Sequence, residues 1–527
     1  MSEIGTIEFV FLLLLLFVIA FGILAGKLKT PYPIVMVIGG LVLGFVPGIP
    51  TISLDPELIF LIVLPPLLYS SAWTTSWREF RYNLISILSL AFGLVIFTVF
   101  GVAVIAPKVF EGFDWRLGLA LGAVVAPTDA IAATSIARRV GLPGRIVDTL
   151  EGESMINDAS GLLALQFAIA IVVQRRVPTF AEASLTFVWL IVGGIGLGLL
   201  VGWITDQIEK RLDDGDIEIT LSILVPYAVY LAADAVKASG VLAVVVCGLY
   251  LSRRSATFFS PTVRLQTSSV WKSLTFVLNG LVFVLIGLQL PGIRASIRGY
   301  SLRELILDGV IFSVLLILLR LIWVFPGAWF SYFLRKRVAH QKEKRPPVRQ
   351  IFVVGWTGMR GVVSLAAAIS LPATLADGTA FPQRNIIVFL TFCVIVVTLV
   401  LQGLTLPPLI RWLGLAATGE PDEEELKARR VVLQAALTYL GEAKAKDSED
   451  TFELYDDLVK HYNERLAGTQ PDAEAHDRHI ELKLQALGIE RETAIRLRNE
   501  GTISDNVLRR IERELDLSES RLTGGEG

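Results

Sequence analysis

The sequence predicts an all-α polytopic membrane protein with a soluble helical tail. Of its 527 residues, 53% are hydrophobic and the mean hydropathy is +0.61, well above the soluble range. Apolar runs of roughly 17–25 residues, the length of a helix that crosses a bilayer, recur along most of the chain. The charges nearly cancel, to a net −2, and crowd into short loops and the C-terminal segment.

Hydropathy and length place about thirteen spans. They cover 7–26, 32–50, 57–74, 83–106, 115–137, 147–174, 183–204, 217–235, 238–252, 273–290, 303–333, 349–374 and 384–412. The acidic start, Met1–Glu8, lacks the basic region of a secretory signal. Phe9–Leu24 therefore reads as a retained span rather than a leader. The ninth span is short, and the break before it is the weakest boundary. Residues 1–412 form the expected transmembrane domain. Residues 415–527 form a second, helical one: "EPDEEELKARRVVLQAALTYLGEAKAK" and "AEAHDRHIELKLQALG" have helical spacing and many opposite-sign neighbours.

Orientation follows from Lys and Arg in alternate loops. One set holds "GKLK", "SWREFR", "ARRVGLPGR", "EKR", "SRR" and "RKRVAHQKEKRPPVR". That set is expected in the cytoplasm, with the N-terminus outside and the C-terminal domain inside. "RRVP" at Arg175 and "RASIRGYSLR" near Arg294 run against the bias. Cys247 and Cys393 both fall in apolar runs and read as small buried hydrophobes. His340 and the other histidines fall in polar segments without metal spacing. No cofactor and no nucleic-acid partner are expected.

Ionisable residues in mid-span are few: Asp129, Glu153, Asp158, Asp234, Arg320 and Arg360. Each costs about 2.5–3.5 kcal/mol at a helix centre, so each needs a partner or a watery cavity. An unpaired acid there takes up a proton, and without it binds a cation. Ser154 precedes Asp158 by one helical turn and shares its face; Asn157 is its neighbour. A hydroxyl and a carboxylate on one face suit a small hard cation. A polar helix–helix contact fits the same spacing. Arg320, in "LLILLRLIWVF", needs a carboxylate at matching depth, and Glu153 is the candidate. A structural pair is favoured over a titrating Glu153. Asp234 has Lys237 nearby at a span end and is given no role.

Two spans read as interrupted. "AVVAPTDAIAATS" puts Pro127, Thr128 and Asp129 in mid-span, and "VVGWTGMRGVVSLAAA" puts three glycines and Arg360 in another. Both free backbone groups at depth. Broken helices in corresponding positions of two halves point to a transporter's binding site. In an inverted pair, Asp129 compensates positive half-helix ends and Arg360 negative ones. A proline kink and a glycine packing face are the plainer alternative.

Together "GESMINDASG", "APTDA", "GWTGMRGVVSLAAA" and "LPPLLYSSAW" resemble the signatures of the sodium/proton exchanger branch of the monovalent cation:proton antiporters. The resemblance covers residues 1–412, with the motifs in the expected order. It implies about thirteen spans with two inverted six-helix repeats, a dimerisation part and a mobile core, and crossed, partly unwound fifth and twelfth helices. It implies a cell-membrane homodimer that exchanges sodium or another monovalent cation for protons in pH homeostasis, and so no enzyme. By residue match, Asp158 is the exchanging carboxylate and Asn157 its neighbour. Thr128 and Asp129 lie at the first crossover, Ser154 is a ligand, and Glu153 and Arg320 are the stabilising pair. Arg360 is the second crossover's arginine. The transported cation is expected on Asp158, Ser154 and Thr128. In this family an Asn–Asp pair goes with electroneutral exchange.

Ser70 and Ser71 stand where many relatives carry an acid, which puts a further ligand and the ion preference in question. A potassium/proton exchanger on the same scaffold is the first alternative. An intramembrane aspartyl protease using Asp129 and Asp158 is a second, although its Gly-x-Gly-Asp signature is absent. Nothing resembles a channel filter.

Overall fold

A computed structural model describes residues 3–47, 56–174, 179–297, 299–338, 345–375, 377–416, 423–445, 452–467, 474–500 and 505–523, with Val177 and Thr502. Arg175 and His340 lie outside the described residues. All regular elements among those described are helices. The chain divides into two compact units, 1–418 and 419–527.

In the first unit, nine described helices are long and apolar enough to cross a membrane, or ten if one bent pair counts as a single span. Three segments expected as spans differ in kind. Tyr32–Gly44 has 13 residues. Gly240–Phe258 ends in the polar turn "SRRSATF". Val348–Trp356 and Val362–Ile369 are two short helices around a non-helical stretch. The eighth and ninth segments are separate helices. Lys237 adopts the left-handed conformation, φ 55°, between them, and Ser239 caps the second by accepting from the Leu242 amide at 3.2 Å. Asp234 is exposed beside this break.

Two spans combine a π turn with a proline pair, and in the first the prolines explain the turn. Pro65 and Pro66 follow a π turn at Ile59–Val63, and Pro407 and Pro408 follow one at Thr398–Gln402. A proline lacks the amide and crowds the carbonyl four residues back; for Pro65 and Pro66 those carbonyls, of Leu61 and Ile62, lie inside the π turn, and the widened turn relieves both. The helix Pro261–Leu288 starts about a dozen residues before the expected span. Its first turns, "PTVRLQTSSVWK", are too polar to register as membrane.

Small residues let helices touch backbone to backbone. A Cβ on Gly40 would lie 2.3 Å from Val284 O, and one on Gly287 would lie 2.4 Å from Val37 O. The helices Tyr32–Gly44 and Pro261–Leu288 are thus in contact along these glycines. Gly118 approaches Ala103 in the same way, and Gly122 approaches Val99.

Among the described residues the second unit has four helices, Glu423–Lys444, Phe452–Ala467, Glu474–Asn499 and Asp505–Thr523. The first two pack together, as do the last two. Lys444 pairs with Asp456 across the first couple. Arg491 bridges Asp516 at 2.7 Å and Glu519 at 2.6 Å across the second.

Overpacking a close helix contact costs about 1–3 kcal/mol. Gly287→Val should therefore lower the melting temperature in detergent. Gly292→Ala, where an added Cβ meets nothing within 4 Å, should leave it unchanged. Equal melting curves for the two variants would remove the close-packing argument.

Candidate ion-binding site

Two interrupted helices cross. The first comprises Trp115–Val125 and Ala130–Arg139, bent by about 40° at residues 126–129. The second comprises Val348–Trp356 and Val362–Ile369 around residues 357–361. Pro127 cannot continue the first helix. Gly358 and Gly361 make the second crossing possible. A Cβ on Gly361 would sit 2.2 Å from Asp129 Oδ2, and one on Gly358 would sit 2.3 Å from Arg320 Cδ.

The freed backbone groups are taken up across the crossing. The Asp129 amide donates to Met359 O at 2.8 Å, and Ser364 Oγ donates to Pro127 O at 3.3 Å. Arg360, 2% exposed, donates Nε to Val125 O at 3.0 Å and Nη1 to Gly358 O. Its own amide donates to Thr398 Oγ1 at 3.1 Å. Its positive charge therefore sits at the carbonyl end of one half-helix. Asp129 sits at amide ends: it caps Ala130–Arg139, accepting from the Ile131 amide at 2.8 Å, and its carboxylate lies over Gly361, which caps Val362–Ile369.

The helix Gly144–Gln174 runs against this crossing and supplies the remaining polar groups. Glu153 and Arg320 form a two-pronged pair. Arg320 Nη1 donates to Oε1 at 2.5 Å and Nη2 to Oε2 at 2.9 Å, and both side chains are 1% exposed. Arg320 also donates Nη2 to Val354 O at 3.1 Å, near the broken end of Val348–Trp356. Glu153 Oε1 accepts from Thr128 Oγ1 at 3.2 Å. The pair thus joins three helices to the break at Thr128.

Ser154 Oγ donates to Thr128 O at 2.8 Å and accepts from the Ala130 amide at 3.3 Å. Asn157 Nδ2 donates to Thr128 Oγ1 at 2.6 Å, while its Oδ1 is buried without a partner. Asp158 is buried, and no hydrogen bond or ion pair to its carboxylate occurs among the described residues. It borders a cavity of about 60 Å³ together with Thr128, Asp129 and Ser154. A water needs about 10–15 Å³ of such space, so the cavity has room for a partly hydrated small cation.

Of the residues singled out in the sequence, Thr128, Asp129, Ser154 and Asp158 share this cavity. Glu153, Asn157, Arg320 and Arg360 support it without lining it. Its other wall brings Ser71 and also Asn279, which the sequence reading passes over. The signal for Asn279 is an amide in the apolar run "FVLNGLVFV". A search confined to charges misses it.

Comparison with known proteins matches residues 12–412 to the family described as the transmembrane sodium/hydrogen exchanger. The chain belongs to this family. It is 34% identical to an uncharacterised Na+/H+ exchanger of Mycobacterium tuberculosis, over 95% of this chain and 93% of that one. It is also 34% identical to a sodium, potassium, lithium and rubidium/H+ antiporter of Bacillus pumilus, over 88% of this chain and 69% of that one. The fold is similar to that of the sodium proton antiporter of Methanocaldococcus jannaschii at pH 8. That match has a TM-score of 0.61 at 20% identity, over 79% of this chain and 100% of that chain.

In this exchanger, removing one partner of the Glu153–Arg320 pair strands a buried charge, which costs about 3–5 kcal/mol. Glu153→Ala and Arg320→Ala should each lower the melting temperature, and the double variant should recover part of the loss. Strictly additive losses would mean that the two side chains are energetically independent.

Proposed function

We propose that this chain is an electroneutral sodium (or lithium)/proton antiporter in which Asp158 alternately carries a proton and a cation. The observation that supports this most is the unequal treatment of the three carboxylates at the site. Glu153 is held by Arg320 on both oxygens. Asp129 is committed to half-helix amide ends. Asp158 alone faces the cavity without a protein partner among the described residues.

A buried carboxylate in that state needs a counterion. A proton satisfies it, and so does a bare cation with further oxygen ligands from Ser154 and Thr128. The Thr128 hydroxyl already donates to Glu153 and accepts from Asn157, so it has one lone pair left for an ion. Proton and cation compete for the same oxygens, and the loaded forms cross between the two sides by alternating access. One titrating acid per cycle gives one cation per proton. Residues 1–412 would carry transport in the cell membrane as a homodimer, with an outside N-terminus. Residues 415–527 would lie in the cytoplasm.

Potassium/proton exchange is the second reading. It is favoured by the Bacillus pumilus relative, a sodium, potassium, lithium and rubidium/H+ antiporter, and by the uncharged Ser71 in the cavity wall. The protease reading is disfavoured, because Asp129 accepts a backbone amide and cannot pair freely with Asp158 across a substrate.

Asp158→Asn should abolish cation-driven proton release from proteoliposomes, read with a pH dye, while the protein keeps its melting temperature. Exchange persisting in the folded variant would move the role to another acid.

The proposed stoichiometry has its own test. Sodium-driven proton flux should keep the same rate and end-point when a membrane potential is imposed with valinomycin and a potassium gradient. A shift with potential would defeat one-for-one exchange.

A further inference from the structure

A second group of buried oxygens lies outside the transport cavity. Glu209 ends the helix Phe180–Glu209, Glu218 is in the first turn of Gly215–Ala235, and Thr267 is in the second turn of Pro261–Leu288. Their relative exposures are 2%, 4% and 2%. Two contacts fix the register between the last two helices. Gly215 lies beside Val263 and Gln266 at one end. One to two turns further along, Trp271 Nε1 donates to Ser222 Oγ at 3.1 Å. Glu218 precedes Ser222 by one turn and Thr267 precedes Trp271 by one turn, so they share the facing stripes between these contacts. Glu209 lies within electrostatic reach of Glu218, and so do Asp213 and Asp214 of the intervening turn, which are not buried.

Glu209 Oε2, Glu218 Oε2 and Thr267 Oγ1 are all buried without a hydrogen-bond partner. Neither glutamate has an ion pair among the described residues. The neighbouring base, Lys210, is taken by Asp206 at 2.7 Å, and Arg211 is exposed. Two buried carboxylates in electrostatic reach of each other, without a basic partner among the described residues, need a countercharge from solution.

We infer that Glu209, Glu218 and Thr267 form a second cation site, for a hard divalent ion of the Mg²⁺ or Ca²⁺ class. The donors are all oxygen, which hard cations select. The two buried carboxylates match a divalent charge, and the exposed Asp213 and Asp214 add to the negative field at Glu218. Three protein ligands from three helices leave positions for water, as such ions usually keep. The site touches the transport unit through Tyr69. Glu209 is within electrostatic reach of the Tyr69 hydroxyl, and the Tyr69 ring lies 5.2 Å from that of Trp271. Tyr69 belongs to Pro56–Thr74, whose Leu68 and Ser71 border the transport cavity. Occupancy of the second site thus bears on a helix that forms the wall of the first.

The test is isothermal titration of the full-length protein in detergent with MgCl₂ and with CaCl₂ at fixed pH and sodium, with tryptophan fluorescence as a second readout. Wild type and Asp158→Asn should both bind one of the two ions saturably. Glu209→Gln and Glu218→Gln should each weaken that binding at least about tenfold, and Thr267→Val should weaken it less. If one glutamine variant does not fold, the other carries the test. Three results would overturn the site: no saturable binding of either ion, binding unaffected by both glutamine variants, or binding lost in Asp158→Asn. A fluorescence change driven by pH and indifferent to both ions would also overturn it, by showing a carboxyl pair that shares a proton.

Discussion

Backbone amides and carbonyls released in the middle of a bilayer have no water to meet them, and every other feature of the candidate ion site depends on how they are met. Two helices are broken at the same depth and laid across each other. Their four ends carry partial charges of alternating sign. Arg360 answers the carbonyl end at Val125 from the opposite helix, and Asp129 answers the amide ends at Ile131 and Gly361. Neither charge can be removed without exposing the helix end it neutralises. Neither helix can be straightened without orphaning the charge on the other.

The Glu153–Arg320 pair extends this dependence to the helices on either side. Arg320 reaches Val354 O near the broken end of Val348–Trp356, and Glu153 accepts from Thr128 in the other break. The glycines are part of the same construction. At Gly361 and Gly358 the approaching groups are the Asp129 carboxylate and the Arg320 side chain themselves. A side chain at either position would push apart the charges that hold the crossing together. The bulk of the polar inventory is thus consumed by structure, and what remains free is small and local.

The chemistry of the crossing is legible in the sequence because apolar surroundings make each charge an outlier. Asp129, Arg320 and Arg360 stand alone in runs of Ala, Val, Leu and Ile, and the breaks announce themselves through Pro127 and the three glycines. The all-helical membrane fold is legible for the same reason. Helix limits are less so. Pro261–Leu288 begins in an amphipathic polar stretch that hydropathy assigns to a loop, and the second broken helix hides two short pieces inside one apolar window. Asn279 is uncharged, so it does not stand out. The acids Glu209 and Glu218 fall at helix ends, where carboxylates look like ordinary loop residues. Only the packing of the helices shows them to be buried and within electrostatic reach of each other.

That difference in legibility has a physical root. A charge in a span declares its cost locally, whereas a buried charge near the membrane surface declares it only once tertiary contacts exclude water. The same contrast separates the two proposed cation sites. At Asp158 the surrounding charges are already balanced, so the cavity confronts an arriving ion with a single carboxylate. One monovalent ion or one proton then restores neutrality, and either can leave without exposing more than one charge. Between Glu209 and Glu218 no base among the described residues completes the balance. A monovalent ion would leave one negative charge buried there, and full compensation needs two positive charges at once. A divalent ion supplies both in a single event and loses both in a single event, so it is suited to holding a conformation rather than to being carried. The arithmetic of buried charge thus separates a site that must empty on each cycle from one that is stable only when filled.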